Sequence, residues 1–565
     1  VLYVCHDSVF IARLGFHRYS HEMILVDKVH PDKLRGGFYT EPHVVDFCLA
    51  RVKALRGSWT GQWLEPSAGD GAFIRGIGRV APDSNNQALE LSAIELIEEE
   101  AAKCDAAIAE SGVQGEIFQG SFFEWATDSE KMFDVVVGNP PFVRYQFVDS
   151  RDRELAESLV AGLDIALRRV SNLWIPFALI ALSRLNAGGC FSLVLPSELF
   201  CTTSGGQFRQ FLVRLFTDLS VDLFPRGTFP GILQDVVVVS GKRAVRPAEA
   251  RPVRFSEHRD GVETHWKHRV LASEESWLRY LLTEREYGAY QAAKSLDGFY
   301  GLGQLARLEV AIVTGANKFF TITDETAKEY DLWEWAVPLL ARTSDSPGII
   351  FTDQDHATAR ACGSRSWLLD FSEHRTTPNG RGRVSEYLAM GESQELASRY
   401  KCRIRDPWYR VPHIKRGSLM MTKRAHHYHR LLSNQAKVYT TDTIYRGQMM
   451  GLYDGREQDL VATFQNTLTL LSTEIEGRTY GGGVLELVPS EVARLTVSLI
   501  DSGRHIEKMD AESRGVNGQR DATHAVMQMT DEFLLSKVPG YKELLPLLDS
   551  GRDRLQARRQ GVVEG

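Results

Sequence analysis

Cysteine is scarce and scattered. There are seven in 565 residues, the closest pair being Cys190 and Cys201, and no Cys-x-x-Cys. That spacing excludes a disulfide framework and a zinc ribbon, and predicts reduced thiols in a cytoplasmic protein. No apolar run approaches the ~18 residues of a membrane span. The first residues carry His6, Asp7 and Arg13 among their apolar neighbours, unlike a signal peptide. Gly-x-Gly-x-x-Gly and a Walker lysine are missing, so neither a dinucleotide fingerprint nor a P-loop is expected. A Glu-x-Lys triplet is missing too, and with it the metal-binding nuclease motif of a combined restriction–modification enzyme. There is no internal repeat and no low-complexity segment. An excess of positive charge is also lacking: 66 Lys and Arg stand against 73 Asp and Glu, a net charge of −7, so any nucleic-acid surface has to be local. Hydrophobic content of 43% and charged content of 25% are those of a globular protein, and the length predicts two to four domains.

What is present is organised around Asn139-Pro140-Pro141-Phe142, after the apolar run Phe133-Asp134-Val135-Val136-Val137-Gly138. The run reads as a buried parallel strand. Two prolines fix φ and remove donors, so the strand stops in a rigid loop at its carboxyl end, where open α/β sheets bind ligands. That loop suits a flat ring bearing an exocyclic amine. The Asn139 side-chain oxygen and the Pro140 carbonyl can each accept one amine hydrogen, drawing the nitrogen lone pair out of conjugation. Phe142 offers a stacking face.

A second motif, Trp63-Leu64-Glu65-Pro66-Ser67-Ala68-Gly69-Asp70-Gly71-Ala72-Phe73, reads as strand, acidic strand end, glycine turn and helix from Ala72. Glu65 would repel a pyrophosphate but suits a zwitterionic amino-acid group. Further on, Leu91-Ser92-Ala93-Ile94-Glu95-Leu96 is a strand ending in a carboxylate able to accept both hydroxyls of a ribose. Amino acid plus ribose implies S-adenosylmethionine. Ahead of both, Gly36-Gly37-Phe38-Tyr39-Thr40-Glu41-Pro42 leads into a helix from Val44, with Thr40 either a cap or a ligand hydroxyl.

This tandem resembles the TaqI-like (gamma-class) N6-adenine DNA methyltransferases, closely over about residues 36–240 and more loosely over 300–500. The resemblance implies an α/β fold: a Rossmann-like, doubly wound S-adenosylmethionine-dependent domain followed by a mixed α+β target-recognition domain. It carries cofactor contacts onto Thr40, Glu65, Ser67, Gly69, Glu95, Leu96, Phe122, Asn139 and Pro141. It carries catalytic roles onto Asn139, Pro140 and Phe142. Ser121 stands where the family usually has an aspartate beside the cofactor adenine, and a hydroxyl accepts more weakly than a carboxylate. A second aromatic against the flipped base is expected near Gly205, where Ser204-Gly205-Gly206 instead reads as a mobile loop. The implied partners are double-stranded DNA and a separate cognate restriction endonuclease or other phage-defence protein, with no membrane.

Downstream, Asn172-Leu173-Trp174-Ile175-Pro176-Phe177 opens a helix expected to reach Gly188-Gly189, and Phe191 to Pro196 forms the next buried strand. Asp222-Leu223-Phe224 and Asp235 to Val239 are expected to close the sheet as an antiparallel pair. The expected boundaries are an N-terminal extension over 1–30 and a catalytic domain over 31–243. A linker or helical connection follows over 244–300, then recognition over 301–500 and a helical tail with a basic end over 501–565.

One stretch reverses the overall sign. Between Lys401 and Arg430 there are nine Lys or Arg against the single acid Asp406, interleaved with Trp408, Tyr409 and Tyr428. This is the footprint of phosphate contact, and a solvated basic face is the bland alternative. Arg403, Arg405, Lys415 and Lys423 are the expected phosphate contacts, with Arg446 as a base reader. His413, His426, His427 and His429 are too irregular for a ligand set, so no metal is expected. Other functions share parts of the pattern: a glutamine N5 methyltransferase, a cytosine N4 enzyme (usually Ser in place of Asn139), or a catalytically silent DNA-binding defence component.

Overall fold

The computed structural model describes residues 39–81, 89–165, 170–225, 236–259, 261–372, 382–412, 414–480, 483–515 and 519–561. The expected extension 1–30, Gly36 to Phe38, Asp235, His413, Gly481 and Gly482 lie outside the described residues. The described chain divides into two compact units, one ending at Glu284 and the other beginning at Arg285.

The first unit is built on a nine-stranded sheet in the order β3-β2-β1-β4-β5-β7-β6-β8-β9. Its strands are β1 Gly61–Glu65, β2 Leu89–Glu95, β3 Gly115–Gln119, β4 Phe133–Gly138, β5 Leu185–Pro196, β6 Phe216–Leu223, β7 Val236–Arg243, β8 Ala250–Arg259 and β9 Val262–Leu271. The first five are parallel, and β7 runs antiparallel between β5 and β6, as the apolar runs predict. Helices Ala72–Val80, Glu98–Ser111 and Phe122–Asp128 make the crossovers among β1 to β4. Strand order reverses between β1 and β4, so the switch-point crevice opens at their carboxyl ends, after Glu65 and Gly138. The interior of β4 is fully covered: Phe133, Val135, Val136 and Val137 are each 0% exposed. Leaving such a run uncovered would forfeit roughly 1.5–3 kcal/mol per side chain, which fixes the depth of the strand and so the place where its loop emerges.

Three expectations change here. The helix at Trp174 stops at Ser183, and β5 already begins at Leu185, so Gly188-Gly189 lie inside a long strand. The stretch expected to be a linker or helical connection holds β8 and β9, a ten-register antiparallel pair whose β8 adds parallel to β6. Its alternating apolar side chains Val253, Phe255, Trp266 and Val270 are buried, a period-two pattern hidden among charged neighbours. Gly205-Gly206 is no loose loop but the first turn of helix Gly205–Leu215. A Cβ on Gly205 would lie 2.9 Å from Thr202 Oγ1 and 3.1 Å from Arg209 Nη1, so the position excludes an aromatic side chain.

The second unit is mixed α+β. Its five-stranded sheet runs Ala306–Glu309, Ile444–Met449, Leu419–Thr422, Leu431–Asn434, Ile350–Phe351, and a four-stranded sheet holds Ala336–Leu340 and Trp367–Leu369. Helix Tyr541–Gln560 packs on Thr467–Glu476, so the expected basic tail is largely interior. Arg559 is 4% exposed and its Nη2 lies 2.7 Å from Glu474, and Arg552, 2% exposed, pairs with Asp549 and Asp553. Among the described residues no helix is long and apolar enough to cross a membrane.

Candidate active site and nucleic-acid surface

The two motifs read from sequence meet at the switch point. Ser67 Oγ donates to the Asn139 carbonyl at 3.1 Å, tying the glycine turn after β1 to the proline loop after β4. Gly138 lies at φ 150°, a backbone conformation that favours glycine. Asn139 Nδ2 donates to Thr40 Oγ1 at 3.2 Å. Thr40 is not the cap of the helix that follows: the N-cap of helix Pro42–Arg56 is Glu41, and the Thr40 hydroxyl accepts from the Asn139 amide.

The glycine turn is lined by acids. Glu65 is 1% exposed, and its Oε2 has no hydrogen-bond partner among the described residues. Burial, then the nearby Asp70 and Glu95, push its carboxyl well above the usual range, with Arg75 opposing. Glu95 accepts from Gly69 N at 2.8 Å and from Ile97 N at 2.9 Å, and burial raises its carboxyl despite these amides. Gly69 lies at φ 55°, and a Cβ added there would meet nothing within 4 Å, so the turn is left-handed and leaves open space beside it. Leu96, next to Glu95, is an apolar side chain 61% exposed at a strand end. A buried acid lacking a donor, a strand-end carboxylate held by two backbone amides and an apolar ledge fit an amino acid, a ribose and a flat ring in that order.

Other predicted residues sit differently. Phe122 is buried against Phe177, with centroids 4.5 Å apart, and against Trp125, so its ring belongs to the core. Phe142 is 9% exposed, so its ring is mostly covered. Pro140 is buried and Pro141 half-buried. Ser121 caps helix Phe122–Asp128 by accepting from Phe123 N, and donates to Asp152 Oδ1 at 2.5 Å. The carboxylate missing at position 121 is thus present nearby, brought from helix Ser150–Ala161. The sequence held no sign of this, because the two residues belong to different elements.

The basic stretch 401–430 divides. Arg405 donates to the Thr314 and Val313 carbonyls, each at 2.7 Å, and so braces a loop. Arg430 is buried and donates to the carbonyls of Thr343, Ser346 and Gly348. Lys423 and Arg424 pair with Glu486. Arg446 meets Glu309 at 2.6 Å across a strand pair. Trp408 and Tyr409 pack on the core around Phe319. His429 is 0% exposed. Of the five expected DNA contacts, Arg403 and Lys415 are the exposed ones. An acid–imidazole group, Asp222, His258 and Glu263, has metal-like proximity, but Arg51 already lies 2.5 Å from Asp222.

Two family models match this chain in separate stretches. The family model described as Eco57I restriction-modification methylase matches residues 81–223, and that of the Type II methyltransferase M.Eco57I C-terminal domain matches 274–535. The Type II methyltransferase M.AccI of Acinetobacter calcoaceticus is 22% identical over 455 residues, 78% of this chain and 81% of that protein. The Type II methyltransferase M.XamI of Xanthomonas campestris pv. amaranthicola is 22% identical over 479 residues, 83% of this chain and 86% of that protein. Among solved structures, the Type IIL restriction-modification enzyme MmeI in complex with DNA aligns at a TM-score of 0.47 and 10% identity, covering 92% of this chain and 75% of that one. The family-model matches and the curated relatives support a DNA methyltransferase of restriction–modification systems. Its cofactor is S-adenosylmethionine.

Proposed function

We propose that the chain methylates adenine at N6 in duplex DNA, at a specific sequence, as the modification enzyme of a restriction–modification or related phage-defence system. The observation that carries this reading is the Ser67–Asn139 contact, which sets an amine-accepting loop directly against an acid-lined turn. S-adenosylmethionine, when bound, supplies an electrophilic methyl group. Glu65 receives the α-amino group, Gly69 leaves space for the chain, Glu95 accepts from the ribose and Leu96 covers one face of the adenine. Thr40, Ser67, Ser121 and Pro141 would border the same space, with Phe122, whose ring is in the core, reached through its backbone.

On the target side, Asn139 Oδ1 and the Pro140 carbonyl accept the two hydrogens of the N6 amine, concentrating its lone pair toward the methyl group. Thr40 and Ser67 hold Asn139 from its side chain and its backbone, which is the preorganisation such a step needs. The adenine has to leave the helix, because a stacked and paired N6 cannot align with the methyl group. Stacking on Phe142 requires the covered ring to be uncovered as the base enters. The second unit supplies the sequence-reading surface, and a separate endonuclease would be the natural counterpart.

The test is expression in a host lacking adenine methylation, followed by genome sequencing that reports modified bases. N6-methyladenine at one motif is expected. Modification of cytosine, or an unmodified genome despite folded protein that binds cofactor, overturns the reading.

A further inference from the structure

Three clefts in the second unit share walls. One of about 640 Å³ is lined by Arg342, Thr443 and Asp442 among others. A second, of about 600 Å³, shares Arg342 and Thr443 and adds Lys318 and Arg365. A third, of about 800 Å³, shares Asp442, Lys318 and Arg365 and adds Arg399 and Lys401. Together they form one groove whose described walls carry eight Lys or Arg (318, 342, 365, 399, 401, 423, 424, 430) against two acids, Asp345 and Asp442. In a chain of net charge −7 this concentration needs a reason. Lys423 and Arg424 are paired with Glu486, and Arg430 is buried. Arg365 donates to the Lys318 and Thr321 carbonyls, so four exposed cations remain: Lys318, Arg342, Arg399 and Lys401.

Asp442 lines both the first and the third of these clefts. A carboxylate there repels phosphate, yet it is held in place. Its backbone N–H donates to the Ile312 carbonyl at 3.0 Å, and its Oδ1 accepts from Asn317 Nδ2 at 3.1 Å. Asn317 is in turn fixed by the Thr314 hydroxyl. A carboxylate oriented inside a cationic groove is suited to accept from an exocyclic amine on a base edge, which phosphate-binding cations cannot do.

We propose that this groove takes duplex DNA, with its exposed cations on the phosphates and Asp442 reading the amine of one base in the recognition sequence. The proposal rests on the methyltransferase reading and deepens it by naming the surface and one specificity residue. It differs from the sequence expectation, which put the contacts on Arg403, Arg405, Lys415, Lys423 and Arg446.

Two measurements on the full chain test it. Binding to a fluorescent 30-base-pair duplex of mixed sequence is titrated with salt for the wild type and for a Lys318→Gln/Arg342→Gln/Arg399→Gln/Lys401→Gln variant. Removing four cations that each neutralise a phosphate should make the slope of log K against log salt shallower by up to ~3.6. An unchanged slope in the folded variant removes the groove as the DNA surface, as does tighter wild-type binding to single-stranded RNA than to the duplex. Wild-type protein with no salt-dependent duplex binding sinks the methyltransferase reading as well, a distinguishable result.

For Asp442→Asn, which keeps an acceptor for Asn317, the methylated motif is read by genome sequencing. Preference at one base pair should fall roughly ten- to a hundredfold, while affinity for mixed-sequence duplex holds or rises. An unaltered motif, or weaker binding to all sequences in step with a lower melting temperature, reduces Asp442 to a prop for Asn317.

Discussion

The switch-point site of the first unit and the groove of the second are electrostatic opposites. Around the glycine turn, burial first and then the nearby Asp70 and Glu95 raise the Glu65 carboxyl. Along the groove, eight cations face two acids. The first suits a cationic small molecule and the second a polyanion. They also differ in construction. Site residues of the first unit sit on adjacent strand ends, fixed by backbone geometry, whereas the groove draws single side chains from loops and short helices far apart in sequence. A cation there is functional only if nothing inside the unit has already taken it. Arg405, Arg430, Arg552 and Arg559 show how often something has.

The sharpest way to break this division is Asn139→Ala. If the two sites are chemically separate, methyl transfer in single-turnover assays falls by ~100-fold or more, the scale of removing one preorganised group. Duplex affinity should be unaffected. Parallel loss of both, in a folded variant, would show that the proline loop contributes to DNA holding.

Arg430→Met tests the other side of the contrast, a cation engaged internally. Its guanidinium serves three backbone carbonyls, and burial lowers its pKa to about 10. Leaving those carbonyls without a donor should cost ~3 kcal/mol in denaturant unfolding. The salt slope for DNA should stay at the wild-type value. A shallower slope with unchanged stability would move Arg430 from the interior to the DNA surface.

Glu95→Ala is expected to weaken S-adenosylmethionine binding by ~2 kcal/mol, measured by calorimetry, since a carboxylate that accepts charge-assisted bonds is lost. Unchanged affinity would mean that the ribose is not held at the end of β2.

These cases show why the two regions differed in legibility. Asn139, Glu65 and Glu95 could be placed from sequence because an apolar run, a chain break and one polar residue at the break define a strand end without knowledge of its neighbours. Three kinds of feature escaped. The strands β8 and β9 were masked by charged residues on their open faces, between the buried Val253, Phe255, Trp266 and Val270. Asp152 reaches Ser121 only through the packing of a separate helix. In the basic stretch, counting charges from 401 to 430 captured four residues that line the groove but also Arg405, whose partners Val313 and Thr314 lie in another segment. Periodicity reports burial along one element, and it carries no information on which distant carbonyl an arginine will find.

In the wild type the smallest net effect concerns acid stability, where two buried groups of the second unit oppose each other. Burial raises the Asp531 carboxyl to about 6, against hydrogen bonds from Thr467 and Tyr541. Burial lowers the His429 imidazole to about 4, opposed by the Thr422 carbonyl and assisted by Arg559. As pH falls from about 6 toward 4, folded Asp531 takes up a proton that the unfolded chain, with its carboxylate pKa near 3.9, does not yet bind, so stability rises. Over the range from about 6.5 to 4 the unfolded chain protonates His429 while the folded protein does not, so stability falls. Each slope is roughly 1.4 kcal/mol per pH unit, and in the wild type the two nearly cancel. Asp531→Asn removes only the first. Its stability relative to wild type should be constant above pH ~6.5 and decline by up to ~1.4 kcal/mol per unit between 6 and 4. The measurement is urea unfolding of both proteins at half-unit pH steps. A difference curve that stays flat down to pH 4 would show that Asp531 is ionised throughout this range, held so by Thr467 and Tyr541 against the burial that otherwise favours its neutral form.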